Sequence, residues 1–143
     1  GEIMCRGKNS RGREWSVGID KPVDGNYIPG AAMEMAVRLT DAGLATSGNY
    51  RKFYYDDQGN KISHTINSLT GLSEQSRLLS ATVIAESCTL AGAYGTMMMT
   101  LGVPASQRYL YEHAAVMALL LCDDGKGDYE IPASPVIYDK LVR

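Results

Sequence analysis

The sequence predicts an α+β domain with a largely antiparallel sheet and two helices. Short stretches of alternating apolar and polar residues recur along the chain, which is typical of strands that bury one face. These stretches do not alternate regularly with helices, and no Rossmann or P-loop glycine fingerprint is present, so a doubly wound nucleotide-binding fold is excluded. A chain of 143 residues, 45% of them hydrophobic, fits one domain over residues 1–143.

Composition narrows the functional class. A formal net charge of -2 argues against a general nucleic-acid binder, which would carry a basic surplus. The longest apolar run, Ala114 to Cys122, is too short for a membrane span and indicates a buried strand. The three cysteines are odd in number and lack C-x-x-C spacing, so we expect buried structural thiols rather than a disulfide framework or a zinc site. The start at Gly1 suggests a processed or truncated product.

The first strands are predicted from alternation. Glu2 to Cys5 forms the first, and after a polar loop Trp15 to Asp20 is expected to be its hairpin partner. Met33 to Leu39 also alternates, which predicts a strand with one solvated face. A second hairpin is predicted between Arg51 to Tyr55 and Lys61 to Ile66, because Asp56-Asp57-Gln58-Gly59-Asn60 is a strong turn signal.

The central unit is a strand followed by a helix, Leu78 to Gly102. The strand is rich in β-branched residues, and Ser87 or Thr89 is a suitable N-cap for the helix. Gly102 predicts the end of that helix, and Pro104 predicts the start of a second one through about His113. Beyond it, strands are predicted at 115–121 and 129–131.

The helix of this unit has unusually small side chains near its start, and we call this stretch the bare start of the helix. Its small residues are Ala91, Gly92, Ala93 and Gly95, and a glycine inside a helix costs about 0.5–1 kcal/mol relative to alanine. Something is therefore expected to lie close to the helix. Close packing by another backbone element and a ligand at the helix N-terminus are equally compatible with this pattern.

Few polar residues suggest chemistry by themselves. The small, hydroxylated stretch Ala45 to Tyr50 would let a ligand reach the backbone. His64 follows a hairpin strand, where a lone histidine is more often scaffold than catalyst. His113 is expected only to interact favourably with the C-terminal end of a helix dipole. A threonine inside a helix usually hydrogen-bonds to its own helix backbone, and this is the simplest role for Thr96.

Taken together, ordered blocks across nearly the whole chain resemble the C-terminal half of the ApbE family. The blocks are Gly1-Glu2, Trp15 to Ile19, Ala45 to Tyr50, His64 to Gly71, Ser80 to Ala85 and Ala91 to Thr96. The resemblance implies an α+β, ApbE-like partial domain. It also implies an FAD:protein FMN transferase, which binds FAD with Mg²⁺ and moves FMN to a Thr or Ser hydroxyl of an acceptor protein with release of AMP. Family members are often exported, periplasmic or lipid-anchored lipoproteins, so the same location is expected here.

The resemblance also implies roles for individual residues. Thr46, Ser47 and Gly48 match the block that approaches the flavin nucleotide, and Thr70-Gly71 match the end of the histidine block. His64 matches a nucleotide-binding histidine that is a candidate base for the acceptor hydroxyl. Thr96 matches a magnesium ligand.

Departures from the family pattern put the activity in question. Gly92 occupies the position of the family's metal-binding aspartate, and Asn67-Ser68-Leu69 replaces Asp-Pro-Arg. Since Mg²⁺ prefers carboxylate oxygen, we expect weakened or lost metal binding, with Glu86 a poor substitute on a different turn. Three hypotheses follow: a flavin transferase, a catalytically dead flavin-nucleotide-binding paralogue, and a structural or interaction domain without nucleotide.

Overall fold

The computed structural model describes residues 1–73 and 76–142. In this part of the chain the elements are, in order, β1 (Glu2–Cys5), β2 (Trp15–Asp20), β3 (Met33–Leu39), β4 (Ala42–Gly48), β5 (Phe53–Tyr55), β6 (Lys61–Ser63), β7 (Leu78–Ala85), α1 (Cys88–Glu112), β8 (Met117–Asp123), β9 (Tyr129–Glu130) and a 3-10 helix (Pro135–Lys140).

The main sheet has five strands in the order β1-β4-β7-β8-β9, and its neighbouring strands are antiparallel. Two antiparallel hairpins, β2-β3 and β5-β6, lie outside it. This arrangement confirms the predicted α+β class. The β5-β6 hairpin confirms the predicted turn at 56–60, where Gly59 has a φ of 82°. At that turn, hydrogen bonds from the Asn60 side chain and backbone hold the pKa of Asp56 below its usual value.

The predicted pairing of the first two strands is wrong. β1 pairs with β4, from Glu2 opposite Ala45 to Cys5 opposite Ala42, and β2 pairs with β3 instead. The intervening loop is held against the turn between β3 and β4, where the Gly7 amide donates to the Asp41 carboxylate at 2.9 Å. Strand pairing is decided by where apolar faces find partners, which nearness in sequence does not determine.

Helix α1 begins and is interrupted as predicted. The Ser87 hydroxyl accepts a hydrogen bond from the Leu90 amide at 3.2 Å and caps the N-terminus. At Gly102 the backbone leaves the helical region, with φ 71° and ψ -177°, and a second helical segment containing Pro104 follows. The two predicted helices are therefore present as the two segments of α1, separated by a glycine that can adopt positive φ.

The sheet is covered on both faces. On one side α1 buries Ala91, Met98, Met99 and Val103 against β7 and β8. On the other side the β2-β3 hairpin and the 3-10 helix contribute a second cluster, which includes Ile19, Val37, Leu39 and Ile137. Two apolar layers thus hold β4 and β7 between them.

The cysteines are free thiols in this fold. Cys5 and Cys122 are buried as predicted, whereas Cys88 is only partly buried. Burial raises the pKa of Cys122 to about 11, so this thiol stays protonated at neutral pH. Within the described ranges, no helix combines the length and apolarity needed to cross a membrane.

The bare start of α1 has two different explanations. A Cβ atom on Gly95 would lie 2.9 Å from the Ser47 hydroxyl oxygen and 3.5 Å from the Ala81 carbonyl oxygen. A Cβ atom on Gly92 would have no heavy atom within 4 Å outside its own helix backbone. Close packing against β4 and β7 therefore accounts for Gly95, but it does not account for Gly92.

Alanine substitutions test this difference. Gly92→Ala should raise the free energy of unfolding by about 0.5–1 kcal/mol, because it improves helix propensity in open space. Gly95→Ala brings the same gain in propensity but forces Ser47 to move, so its free energy of unfolding should lie below that of Gly92→Ala. Urea denaturation measures both, and equal stabilisation of the two variants would contradict the packing at Gly95.

Candidate active site

A cavity of about 930 Å³ lies between the end of β4, the third turn of α1, the start of β1, the β2-β3 loop and the end of β6. Five of the residues predicted to form a site line it: Thr46, Ser47, Gly48, His64 and Thr96. They come from three separate stretches of the chain. The fold therefore brings together most of the predicted constellation.

The first three of these residues lie at the end of β4, where successive side chains point to opposite faces of the sheet. The Thr46 and Thr82 hydroxyls are 2.9 Å apart and share a hydrogen bond on the face away from the helix. Ser47 faces α1, next to Gly95. A Cβ atom on Gly48 would lie 2.7 Å from the Tyr50 ring and 3.0 Å from the Leu79 carbonyl oxygen, so glycine is needed here for the ring to pack against the end of β4.

His64 is held by a backbone carbonyl. Both its amide and its Nδ1 atom lie 3.2 Å from the Lys52 carbonyl oxygen. A carbonyl can only accept hydrogen bonds, so Nδ1 must carry the proton. In neutral His64 the lone pair is therefore on Nε2, as a general base requires.

The side chain of Thr96 is exposed. Among the described residues of α1, Thr96 is the one that lines the cavity. Gly92 lies one helical turn before it, but brings no carboxylate. The described residues contain no group of three His, Cys, Asp or Glu side chains placed to hold a metal ion. Glu86 is exposed and does not line the cavity. The donors that this chain provides therefore do not fit Mg²⁺, which prefers several oxygen ligands including carboxylates.

Thr70 and Gly71 are not among the residues that line this cavity. They lie in a turn that closes when the Gly71 amide donates to the Asn67 carbonyl at 2.8 Å. The Thr70 hydroxyl accepts from the Leu72 amide at 3.3 Å, and Gly71 has a φ of 71°. The structure gives both residues a role in the turn, while their role in nucleotide binding stays a prediction.

Sequence reasoning missed several polar or aromatic residues that line the cavity, among them Asp20, Tyr50, Arg51 and Lys52. The last three directly follow the Thr46-Ser47-Gly48-Asn49 block, and that position could have marked them. Burial raises the pKa of the Tyr50 hydroxyl, and the Arg51 charge opposes the shift. Asp20 ends a strand far away in sequence, and nothing in its local pattern distinguishes it.

Comparisons with known proteins identify the family of this chain. The model of the ApbE family matches residues 1–120. The chain is 34% identical, over 89% of its length, to the FAD:protein FMN transferase of Klebsiella pneumoniae (strain 342), and 33% identical over 87% to that of Escherichia coli (strain K12). It covers 35% and 34% of these relatives, so it spans about a third of their length.

Solved structures show the same fold. The flavin transferase ApbE from Vibrio cholerae superposes with a TM-score of 0.79 at 27% identity, over 99% of this chain and 42% of that one. The apo form of the Pseudomonas stutzeri flavinyl transferase ApbE gives a TM-score of 0.77 at 24% identity, over 98% of this chain and 41% of that one.

The fold thus places this protein among α+β domains that share the architecture of these solved structures. The match to the family model over residues 1–120 makes the assignment specific: the chain belongs to the ApbE family. The resemblance inferred from the sequence blocks is confirmed.

The hydrogen bond at His64 predicts its tautomer. Nitrogen NMR of the neutral imidazole should show the Nδ1-protonated form as the major species, because the Lys52 carbonyl can bind only that form. His113, whose Nδ1 lies 2.9 Å from the Tyr109 carbonyl oxygen, should give the same pattern and serves as an internal reference. A dominant Nε2-protonated form at His64 would contradict the bond.

Proposed function

We propose that this chain forms the nucleotide-binding and catalytic part of an FAD:protein FMN transferase. In this reaction FMN moves from FAD to a Thr or Ser hydroxyl of an acceptor protein, and AMP is released. One observation carries the proposal: Thr46, Ser47, Gly48, His64 and Thr96 line a single cavity in a chain of the ApbE family. The names of the relatives in the comparisons support the same reaction.

His64 supplies the base in this proposal. Its Nδ1-H stays bonded to the Lys52 carbonyl, while Nε2 accepts the proton of the acceptor hydroxyl. The hydroxyl oxygen forms a bond to the phosphorus of the FMN moiety. The bond between that phosphorus and the bridging oxygen breaks, and AMP leaves with the electron pair.

The strand end and the helix shape the remainder of the site. The hydroxyls of Ser47 and Thr96 offer hydrogen bonds to phosphate oxygens, and Gly48 lines the cavity beside them. Lys52 lines the same cavity and contributes positive charge near a polyanionic ligand. Since the donor set of this chain does not fit Mg²⁺, we assign no step to the metal.

One observation favours a second candidate, a flavin-nucleotide-binding protein without transferase activity. Gly92 occupies the position at which the family pattern has a carboxylate, and the space beside it is open. Without that charge the site could bind FAD yet leave the diphosphate intact. The third hypothesis, a structural domain without nucleotide, would leave the cavity without a ligand.

Flavin fluorescence and AMP release distinguish these functions. We expect FAD to bind, and AMP to appear when an acceptor peptide containing Thr or Ser is added. Binding without AMP release would support the second candidate, and no FAD binding with or without Mg²⁺ would reject both.

His64→Ala should lower the rate of AMP release by about 100- to 10,000-fold, the usual contribution of a general base, with little change in FAD affinity.

The matched control is the other histidine of the chain. His113 lies at the end of α1 and does not line the cavity, so His113→Ala should leave the rate unchanged. Equal effects of the two substitutions would reject His64 as the base.

A carboxylate at position 92 should restore metal dependence. Gly92→Asp fits without a clash and places the carboxylate one turn from Thr96, so FAD affinity and turnover should rise with added Mg²⁺ and fall with a chelator. Gly92→Asn has nearly the same shape without the charge and should show no such response. If Gly92→Asp is also insensitive to Mg²⁺, the missing carboxylate is not what limits the site.

We extend the proposal to the setting of the reaction. The acceptor is a protein with an accessible Thr or Ser, and the location is extracytoplasmic or membrane-anchored, as the family resemblance implies. Fractionation of cells that produce the protein would test the location.

A further inference from the structure

Arg51 connects three parts of the fold beside the cavity. Its Nη2 donates to the Asp20 carboxylate at 2.6 Å, and its Nε donates to the Asn26 carbonyl at 3.0 Å. Its guanidinium carbon lies 5.2 Å from the centre of the Tyr50 ring. That ring packs against Gly48, so Arg51 is linked to the backbone that lines the cavity.

Asp20 uses both carboxylate oxygens. Oδ2 accepts from Arg51, while Oδ1 accepts from the Gly30 amide at 2.9 Å. The side chains of this ion pair are 13% exposed for Asp20 and 30% exposed for Arg51, so solvent screens it less than a surface pair. Through Asn26 and Gly30, the pair holds the loop between β2 and β3 at two points.

That loop forms one wall of the cavity. Pro29 and Gly30 line it, together with Met33 at the start of β3. Asn26 gives the loop its internal shape, because its side-chain amide donates to the Lys21 carbonyl at 3.0 Å. The position of the wall relative to β4 therefore depends on the contacts that Asp20 and Arg51 make with it.

We propose that Asp20 and Arg51 are positioning residues that hold the 21–32 loop as the cavity wall for the flavin nucleotide. The inference rests on the proposed function for the identity of the ligand. Arg51 acts through the loop and through Tyr50, rather than by contacting a phosphate. The geometry favours this role because two of its three guanidinium nitrogens are already engaged by protein oxygens.

The direction in which Asp20→Asn changes the affinity for FAD distinguishes this role from direct phosphate binding by Arg51. Asp20→Asn removes the negative charge that neutralises Arg51. If Arg51 bound the diphosphate directly, Asp20→Asn would release it and tighten FAD binding. If the pair positions the wall, Asp20→Asn and Arg51→Met should each raise the Kd for FAD by about tenfold, since the wall must then be ordered on binding.

The double variant gives a second criterion. Residues that act as one unit are not additive, so Asp20→Asn with Arg51→Met should weaken FAD binding no more than either single change. At saturating FAD, kcat for AMP release should stay within about twofold of the unchanged protein while KM rises, because the base is untouched. Arg51→Lys should bind FAD more tightly than Arg51→Met but more weakly than the unchanged protein. A lysine can pair with Asp20, but it lacks the second guanidinium nitrogen with which arginine also binds the Asn26 carbonyl.

Hydrogen exchange without FAD reports on the loop itself. The Gly30 amide and the segment 26–33 should exchange faster in Asp20→Asn and Arg51→Met than in the unchanged protein. The control is Glu130→Gln. Glu130 lies on β9, outside the cavity, and forms an exposed ion pair with Arg77 that this substitution removes. It should alter neither exchange in this segment nor FAD binding.

The two proposals fail differently. If the unchanged protein does not bind FAD, the proposed function is rejected. If it binds FAD but Asp20→Asn tightens binding, or the variants leave both the Kd and loop exchange unchanged, the positioning role is rejected and the proposed function stands.

Discussion

The structure depends on the close approach of α1 to the strands β4 and β7. At the start of the helix, a Cβ atom on Gly43 would lie 2.5 Å from the Cys88 amide nitrogen, so only glycine fits there. Two turns later Gly95 packs against Ser47, and at the kink a Cβ atom on Gly102 would lie 3.1 Å from the Ser76 hydroxyl oxygen. Small residues thus let the helix lie against β4 from Cys88 to Gly95.

This approach determines the geometry of the site. The helix runs beside β4, so its third turn, rather than its N-terminus, reaches the level of Ser47. Thr96 consequently lies at the cavity together with the end of β4. The amides of the first helical turn are used in part by the Ser87 cap. The bare helix start therefore serves packing at Gly95 and leaves unfilled space at Gly92.

Elements defined by local chemistry were predictable from the sequence. Ser87 as N-cap, Gly102 as helix end and Gly59 in a hairpin turn each act within a few residues, and alternation marked β3 and β7. The pairing of β1 was not predictable in the same way. Its partner β4 lies some forty residues away, and apolar burial on both faces of the sheet, rather than chain proximity, selects it.

The sequence by itself determined the family and the α+β class, and it predicted the main site residues, because ordered blocks such as Thr46-Ser47-Gly48 and the segment from His64 carry that information locally. Only the tertiary structure decided which of these residues share a cavity, that Gly92 and Gly95 differ, and that Asp20 meets Arg51. Those facts depend on contacts between distant segments, which exist only after the chain has closed its two apolar layers around the sheet.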